Sequence, residues 1–335
     1  MSAAPPDPVA ILRGSDSDVT CLKYCDIEGK EILISGTASG RINAWNLEMN
    51  RICATIDAHN GLSVLALKPT QAVLRKTAPY AGEMVPCATV VSQGRDGCVK
   101  LWNVSKKLHF ELSGMIKCDK FGFCTCDCTT LDNDQHIIAI PTDKTSQIQL
   151  HDLETLDKIS ALIPRMSGKG YGACMVTKFI KLKNGVVALL VGYEDGSVAL
   201  WDIKMAVELS RTHLHKTDSV MTMDYYGAKN FGISGSVDDK ICIWSITDDN
   251  EVQFKRDITL TNPGLNCSKV RYDGKIFATG GWDAQIRILS RAKCSLLAVL
   301  SFHEGSINCL DFSKKNLIAA GGKDGIISIW NVYAS

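Results

Sequence analysis

The sequence predicts an all-β fold, a seven-bladed β-propeller, from two observations. A phrase of strand, tight turn and strand returns seven times, most clearly in segments 92–102 and 233–244. The copies lie roughly 40 to 57 residues apart, which suits one four-stranded sheet per copy. Each copy places Gly or Asp turn residues between alternating apolar runs, a pattern typical of β-hairpins rather than helices. The copies end at Trp45, Trp102, His151, Trp201, Trp244, Leu289 and Trp330.

The N-terminal segment 9–13 is predicted to complete the last blade. Too few residues follow Trp330 to form a fourth strand, and segment 9–13 resembles the predicted fourth strands at 53–57 and 296–300. Such a closure removes the long open sheet edge that the ring would otherwise carry. We therefore expect residues 1–8 to form a flexible N-terminus and residues 9–335 to form one propeller.

The proline-containing segment at about 70–86 is predicted to be an insertion between two strands. It contains Pro79 and Pro86 and follows Pro69, and its polar content suggests an exposed excursion. Disorder and a docking role both remain open for it.

Composition excludes several classes of partner. Lys and Arg number 37 against 36 Asp and Glu, a formal net charge of +1, so no direct nucleic-acid partner is expected. No apolar run reaches the length of about 20 residues that a membrane span needs. The N-terminus lacks the features of a secretory signal, and the 14 cysteines are scattered among apolar positions. We expect reduced, buried thiols and a location in the cytoplasm and nucleus.

Two blades carry a repeated set of His, Ser, Asp and Trp. The sets are His59, Ser92, Asp96 and Trp102 in the second blade, and His215, Ser234, Asp238 and Trp244 in the fifth. These residues resemble the WD40 family, in which they form a buried, hydrogen-bonded set. Because the trio of His, Ser and Asp recurs at fixed repeat positions, we interpret it as structural and not as a catalytic triad.

The set is incomplete in the other blades. Ser39 stands where Asp is usual, and Val191 stands where Ser is usual. The blade of His151 lacks both Asp and Trp, and the blade ending at Leu289 keeps Asp283. The last blade keeps His303, Asp324 and Trp330 but has Ala320 at the Ser position.

No catalytic, cofactor or metal site is predicted. Alternation places Cys124, Cys126 and Cys128 on one strand face at about 7 Å spacing, which is awkward for a single zinc ion. We interpret them as buried apolar side chains, although zinc remains open. The glycine-rich segment 167–172 lacks the first glycine of the phosphate-binding loop and leads into a strand, so we interpret it as a connecting loop.

The turn tips before the Asp positions are the candidate partner-binding rim. They are Arg95, Lys144, Glu194, Val237, Trp282 and Lys323. Trp282 is the leading candidate, because Trp is costly to expose and is enriched among interaction hot spots. The alternative is that Trp282 folds back over the neighbouring turn. Tyr193, Asn262 and Pro263 add an aromatic ring and a preset turn to this rim.

Several phrases resemble a more specific family than WD40 alone. Segments 9–14, 192–198, 260–264, 281–283, 297–303 and 330–333 are similar to the guanine nucleotide-binding protein subunit beta-like protein 1 family, which is related to ASTRA-associated protein 1. The resemblance implies a non-enzymatic scaffold that works with the TTT cochaperone assembly and the heat-shock chaperone machinery. That machinery stabilises and matures phosphatidylinositol-3-kinase-related protein kinases (PIKKs), which act in DNA-damage and growth signalling.

The resemblance also has consequences for the rim and for oligomeric state. The rim residues within matching phrases are Tyr193, Glu194, Asn262, Pro263, Trp282 and Lys323. True G-protein beta subunits hold a gamma subunit through an N-terminal helix, which Pro5, Pro6 and Pro8 forbid here. We therefore expect a monomeric propeller without a gamma subunit.

Two other functions remain open. A substrate receptor of a cullin ubiquitin ligase would carry Trp-Asp-x-Arg, and the nearest phrase here, 201–204, ends in Lys204. A chromatin-associated peptide reader would need acidic and aromatic residues around the central channel, whereas the rim is of mixed charge.

Overall fold

Seven antiparallel four-stranded sheets form a propeller in the computed structural model, which describes residues 7–72, 88–118, 122–142, 146–164, 170–216 and 218–332. The prediction of seven blades is confirmed. Several predictions lie outside the described residues: those on Pro5 and Pro6, on Lys144, on most of the insertion at 70–86 and on the start of the segment 167–172. None of the described helices is long or apolar enough to cross a membrane.

In blades 1 to 6 the four strands follow one another in chain order, from the innermost to the outermost strand. Blade 1 contains β2 Val19–Ile27, β3 Lys30–Thr37, β4 Arg41–Asn46 and β5 Arg51–Asp57. Blade 2 contains β6 Val64–Thr70, β7 Ala88–Gly94, β8 Cys98–Val104 and β9 Phe110–Lys117. Blade 3 contains β10 Asp127–Thr130, β11 His136–Pro141, β12 Ile148–Asp152 and β13 Lys158–Leu162. Blade 4 contains β14 Cys174–Lys181, β15 Val187–Tyr193, β16 Ser197–Asp202 and β17 Val207–His213.

The last three blades follow the same plan. Blade 5 contains β18 Val220–Tyr226, β19 Phe231–Ser236, β20 Lys240–Ile246 and β21 Val252–Thr259, with one 3₁₀ turn at Gly227–Lys229. Blade 6 contains β22 Leu265–Val270, β23 Ile276–Gly281, β24 Gln285–Ser290 and β25 Ser295–Ser301. Blade 7 contains β26 Ile307–Phe312, β27 Leu317–Gly322, β28 Ile327–Asn331 and the N-terminal β1 Ala10–Leu12.

The ring closes through β1, as the sequence predicts. β1 pairs antiparallel with β28, so that Ala10 lies opposite Ile329 and Leu12 lies opposite Ile327. Leu12 is fully buried and belongs to the apolar cluster between blades 7 and 1, which also contains Trp45. The first blade and the last are therefore joined by the same kind of packing as the others.

The core consists of seven apolar clusters, each of which lies between two neighbouring blades. The blade tryptophans fill these interfaces: Trp45, Trp201, Trp244 and Trp330 are at most 1 % exposed. Leu289 takes the corresponding place in blade 6, in the cluster between blades 5 and 6. Because each blade buries its two faces against two neighbours, the stability of one blade depends on the whole ring.

A bulge at the start of six inner strands shapes the mouth of the central channel. The register shifts between Val19 and Cys21 in blade 1, and at the equivalent place in blades 2, 4, 5, 6 and 7. A β-bulge leaves one residue unpaired and redirects its side chain. The bulged residues line the channel mouth and are Thr20, Leu65, Met175, Met221, Asn266 and Asn308.

Candidate protein-interaction surface

Antiparallel order brings two kinds of loop to one end of the propeller, which we call the top face. The loops before the inner strands and the turns between the second and third strands both lie there. The backbone N–H of the turn-tip residue Trp282 donates to the carbonyl of Gly264, at 3.0 Å, and Arg95 makes the same bond to Ser63, at 2.9 Å. Glu194 and Lys323 repeat it in blades 4 and 7. These bonds hold the predicted rim residues in place.

The hydrogen-bonded set of blade 2 is complete. His59 Nδ1 lies 2.8 Å from Asp96 Oδ1, and His59 Nε2 lies 2.8 Å from Ser92 Oγ. The indole N–H of Trp102 donates to the same Ser92 Oγ at 2.8 Å. Burial lowers the pKa of His59 below its ordinary value, although the charge of Asp96 opposes this. The set thus joins the loop before the blade to its second and third strands.

The set of blade 5 lacks one bond of this arrangement. His215 contacts Asp238 at 3.3 Å and Ser234 at 3.0 Å. Within the described residues Trp244 Nε1 has no hydrogen-bond partner, and the indole ring stacks on Tyr225 with centroids 5.7 Å apart. The expected inclusion of Trp244 in the hydrogen-bonded set is therefore wrong, and this residue acts through packing.

Blade 7 restores its set with a residue that sequence reasoning missed. Ser328 Oγ, on β28, lies 2.7 Å from His303 Nε2 and accepts a 2.8 Å bond from the Trp330 indole. His303 Nδ1 lies 2.9 Å from Asp324 Oδ2. Ser328 is paired across the ladder with Ala320, the position that holds Ser in blade 2. The hydroxyl has moved to the neighbouring strand, while its two partners are unchanged.

A comparison of the residue four positions after the turn Asp in each blade could have revealed this replacement from the sequence. In blade 7 this position is Ser328, and in blade 2 it is Lys100, whose Nζ lies 3.1 Å from Asp96 Oδ2. In blade 6 it is Arg287, whose guanidinium makes a two-fold contact with Asp283, at 2.5 and 3.1 Å. In blade 6 a cation of the third strand, Arg287, therefore binds the turn Asp, as histidine does in blades 2, 5 and 7.

Trp282 is half exposed and held in a fixed orientation. Its side chain is 45 % exposed, and its indole N–H donates to Asn266 Oδ1 at 2.6 Å. The ring also packs directly on Gly264, where a Cβ would lie 2.3 Å from the ring. Both sequence alternatives are thus partly realised, because one face of the ring covers the turn and the other remains available to a partner.

The remaining rim residues are distributed around the top face and do not form one patch. Arg95 lies over the ring of Phe123, with 5.2 Å between the guanidinium and the ring centroid. Asn262 donates from Nδ2 to Asp283 at 3.0 Å, and Pro263 beside it is exposed. Glu194 is exposed, and its carboxylate accepts the backbone N–H of residue 173 at 2.9 Å.

Ser306 connects two predicted rim residues of neighbouring blades, Trp282 and Lys323. Ser306 Oγ donates to the Trp282 carbonyl at 3.2 Å, and the carbonyl of Ser306 accepts the Lys323 backbone N–H at 2.9 Å. The rim of blades 6 and 7 is therefore the best-defined part of the predicted surface.

Tyr193 does not lie on the surface, which corrects its assignment to the rim. Its side chain is 0 % exposed and packs edge-on against Tyr171, with ring centroids 4.9 Å apart. Tyr193 is the last residue of β15, and the side chain turns into the interface between blades 3 and 4. The turn tip begins one residue later, at Glu194.

An apolar half of the channel mouth was missed by sequence reasoning. Phe123 is 69 % exposed, and Leu65, Met175 and Met221 are partly exposed beside it, at the mouths of blades 2 to 5. The other half is polar and is formed by the bulged residues of blades 6, 7 and 1. The channel cavity, which includes the mouth, has a volume of about 390 Å³. The top face therefore has an apolar side, at blades 2 to 5, and a polar side, at blades 6, 7 and 1.

The three central cysteines do not share one face, which corrects the prediction from alternation. Cys124 packs between blades 3 and 4, whereas Cys126 and Cys128 pack between blades 2 and 3. Regular pairing in β10 begins only at Asp127, so the alternation expected from residue 124 onward does not hold. Burial raises the thiol pKa of all three. Within the described ranges no group of three or more His, Cys, Asp and Glu residues could hold a metal ion.

Comparison with known proteins agrees with this architecture. A family model described as "WD domain, G-beta repeat" matches residues 294–331, which cover the four strands β25, β26, β27 and β28. The chain is 33 % identical to mouse (Mus musculus) guanine nucleotide-binding protein subunit beta-like protein 1, over 98 % of this chain and 97 % of the relative.

The chain belongs to the guanine nucleotide-binding protein subunit beta-like protein 1 family. It is also similar to ASTRA-associated protein 1 of Schizosaccharomyces japonicus, at 26 % identity, and of Schizosaccharomyces pombe, at 24 %. Each match covers 98 % of this chain and 99 % of the relative. The family resemblance expected from the sequence phrases is therefore confirmed, and its WD40 scaffold supports a role in protein interaction.

Proposed function

We propose that this protein is a non-enzymatic scaffold that binds the TTT cochaperone assembly through its top face. With the heat-shock chaperone machinery, it helps to stabilise and mature PIKK-family kinases and so serves the DNA-damage response. Membership of the beta-like protein 1 family supports this proposal. So does the name of the fission-yeast relatives, which describes them as associated with ASTRA.

The half-exposed Trp282 is the observation that carries the site proposal. A partner gains most from an aromatic ring that is already ordered, because little side-chain entropy is lost on binding. Trp282 meets this condition through its bond to Asn266 and its packing on Gly264. Lys323 and Asn262 are exposed on the rim of blades 7 and 6 and supply polar groups there, as expected for a hot spot with a hydrated margin.

The geometry of the histidine sets supports the non-enzymatic part of the proposal. Ser92 is 0 % exposed, and its hydroxyl already contacts both His59 and Trp102. A nucleophile must reach its substrate, and this hydroxyl lies beneath the turn and loop that it joins. Ser328 of blade 7 is equally buried and has the same two kinds of partner.

The proposal includes the setting in which the scaffold works. We place the protein in the cytoplasm and nucleus as a monomeric propeller that needs no cofactor, G-protein gamma subunit, nucleic acid or membrane. Its partners are then the TTT components, the PIKK kinases and the heat-shock chaperone machinery.

Quantitative affinity purification from cells tests this proposal. We compare the wild type, Trp282→Ala and the matched control Phe254→Ala, because Phe254 is 46 % exposed but lies on the outermost strand of blade 5. We expect TTT components and PIKK kinases with the wild type and the control, and a loss of at least roughly fivefold with Trp282→Ala.

Other outcomes would contradict the proposal. Cullin components in place of the chaperone partners would favour a ubiquitin-ligase receptor, and histones would favour a peptide reader. Equal recovery of TTT components with all three proteins would remove Trp282 from the binding site. Complete absence of chaperone and kinase partners would refute the proposed function itself.

A further inference from the structure

Every inner strand carries one charged residue at the same position in its blade. Lys23 lies opposite Ile34, Asp224 opposite Ile233 and Lys269 opposite Ala278, each one residue before the Ser position of the second strand. The seven charged residues, in ring order from blade 1 to blade 7, are Lys23, Lys68, Asp127, Lys178, Asp224, Lys269 and Asp311. We call this set the charge ring.

The aspartates of the charge ring have their oxygens occupied. Lys68 Nζ lies 2.7 Å from Asp127, Lys178 Nζ lies 2.8 Å from Asp224, and Lys23 Nζ lies 2.8 Å from Asp311. The other carboxylate oxygen of each aspartate accepts a backbone N–H from the following blade, at 2.8 to 3.0 Å. The three donors are Phe179, Val270 and Tyr24. Each aspartate thus joins two neighbouring blades.

The lysines of the charge ring exceed the aspartates by one. Lys269 has the longest contact, 3.7 Å from Asp224 Oδ2, the oxygen that already accepts the Val270 N–H. Its side chain is 25 % exposed, as is that of Lys178 on the other side of Asp224. An ammonium group has three donor hydrogens, so Lys269 retains donors that protein acceptors at bonding distance do not use.

An anion could reach this set from the top face. The channel cavity of about 390 Å³ is lined by Lys23 and Lys68 as well as by the residues of the mouth. Lys269 is not one of its lining residues, but it occupies the same register position on its inner strand as Lys23 and Lys68 on theirs, and its side chain is 25 % exposed. A phosphate or carboxylate group is small compared with that volume. Asn266 and Asn308, in the polar half of the mouth, precede Lys269 and Asp311 along the inner strands β22 and β26.

The electrostatics of Lys269 agree with an uncompensated charge. The carboxylate of Asp224 raises the pKa of Lys269, but the charges of Lys178 and Lys23, together with burial, outweigh it and lower the pKa to about 8. An excess cation in a confined site must lose its proton or recruit an anion. At pH 7 the ammonium form predominates, so an anion is the better complement.

We propose that the central channel binds one small oxyanion, a phosphate or a carboxylate, at Lys269, Lys178 and Lys23 of the charge ring. This site is independent of the proposed partner-binding rim. It also disfavours a peptide cation in the channel, because the charge ring is already positive by one.

Calorimetric titration of the isolated protein with inorganic phosphate, at pH 7 and constant ionic strength, tests the proposal. Acetate is titrated in parallel, so that the two arms separate a phosphate from a carboxylate site. We expect saturable one-to-one binding of at least one anion to the wild type. Binding should weaken at least roughly fivefold in Lys269→Met. The matched control Lys255→Met, which removes an exposed cation from the outer strand β21, should bind as the wild type does.

A second variant keeps the test decisive if Lys269→Met does not fold. Asp224→Asn retains an oxygen for the Val270 N–H but leaves another lysine uncompensated. It should bind the anion roughly fivefold more tightly, the factor expected for one charge at about 4 Å in water-like surroundings. No saturable binding of either anion to the wild type, or equal binding by wild type, Lys269→Met and Asp224→Asn, would overturn the proposal.

Discussion

Replacement of Ser328 by Ala tests the account of how blade 7 is held together. The substitution removes the hydroxyl that contacts His303 Nε2 at 2.7 Å and accepts the Trp330 N–H at 2.8 Å. Both partners are buried and would be left without this bond. A buried hydrogen bond contributes about 1 kcal/mol net, and an unsatisfied buried group costs about 1–3 kcal/mol. We therefore expect the free energy of unfolding to fall by about 2–4 kcal/mol.

A second substitution provides the control for this experiment. Ala320 lies directly across the ladder from Ser328, and its equivalent in blade 2 is Ser92, which bonds to His59 and Trp102. The double variant Ser328→Ala with Ala320→Ser should therefore recover at least half of the lost stability. A valine at position 320 offers no hydroxyl and should not.

The assay is thermal and urea unfolding, monitored by tryptophan fluorescence. We expect Ser328→Ala to lower the thermal midpoint by several degrees, at about 2 °C for each kcal/mol in a chain of this size. A change below about 0.5 kcal/mol, the level of an ordinary surface substitution, would refute the reasoning. Equal behaviour of the double variants with Ser and with Val at position 320 would show that the hydroxyl is not what matters.

Three further predictions follow from the fold and the rim. Burial lowers the pKa of His59 and of His215 from 6.5, so the unfolded chain gains protons below that pH before the folded chain does. The thermal midpoint should therefore drop between pH 7.5 and pH 5.5, and a flat profile would contradict this. Deletion of residues 1–14 removes β1 and should lower the thermal midpoint of the whole ring. Deletion of residues 1–6 is the control and should leave the midpoint unchanged. An unchanged midpoint after the longer deletion would contradict closure of the ring by β1. Gly264→Ala would place a Cβ 2.3 Å from the Trp282 ring at a φ of +89°. It should displace the ring and weaken rim binding in the affinity purification, and full binding would argue against a fixed Trp282.

The propeller itself could be predicted because its signal is repeated. Seven copies of one turn-and-strand phrase agree with one another, so an error in one copy leaves the count unchanged. Closure by segment 9–13 followed from the missing fourth strand of the last blade, and the pairing of Leu12 with Ile327 confirms it. Both inferences depend on the pattern over the whole chain and not on any single side chain.

The details of the sites could not be predicted because they depend on direction and register. Tyr193 precedes the turn tip by one residue, and one residue along a strand decides between interior and surface. Ser328 replaces the hydroxyl missing at Ala320 from the neighbouring strand, a substitution visible only when the two strands are aligned. Trp244 keeps its place in the core but directs its ring towards Tyr225 instead of Ser234.

The charge ring illustrates the same limit. Its residues are in the sequence, but the bulges at the start of the inner strands obscure their common register. From the sequence alone, a single Lys or Asp in a strand is interpreted as a solvated side chain. Only pairing with the second strand shows that Lys178, Asp224 and Lys269 occupy one level of the channel.

Footprinting of the purified protein with the purified TTT assembly tests the central claim, direct binding through the top face, most directly. Hydroxyl-radical labelling compares Trp282 on the top face with Phe254 on the outer strand of blade 5. We expect addition of the TTT assembly to protect Trp282 and to leave the labelling of Phe254 unchanged. Protection of Phe254 alone, or of neither residue at saturating TTT assembly, would contradict it.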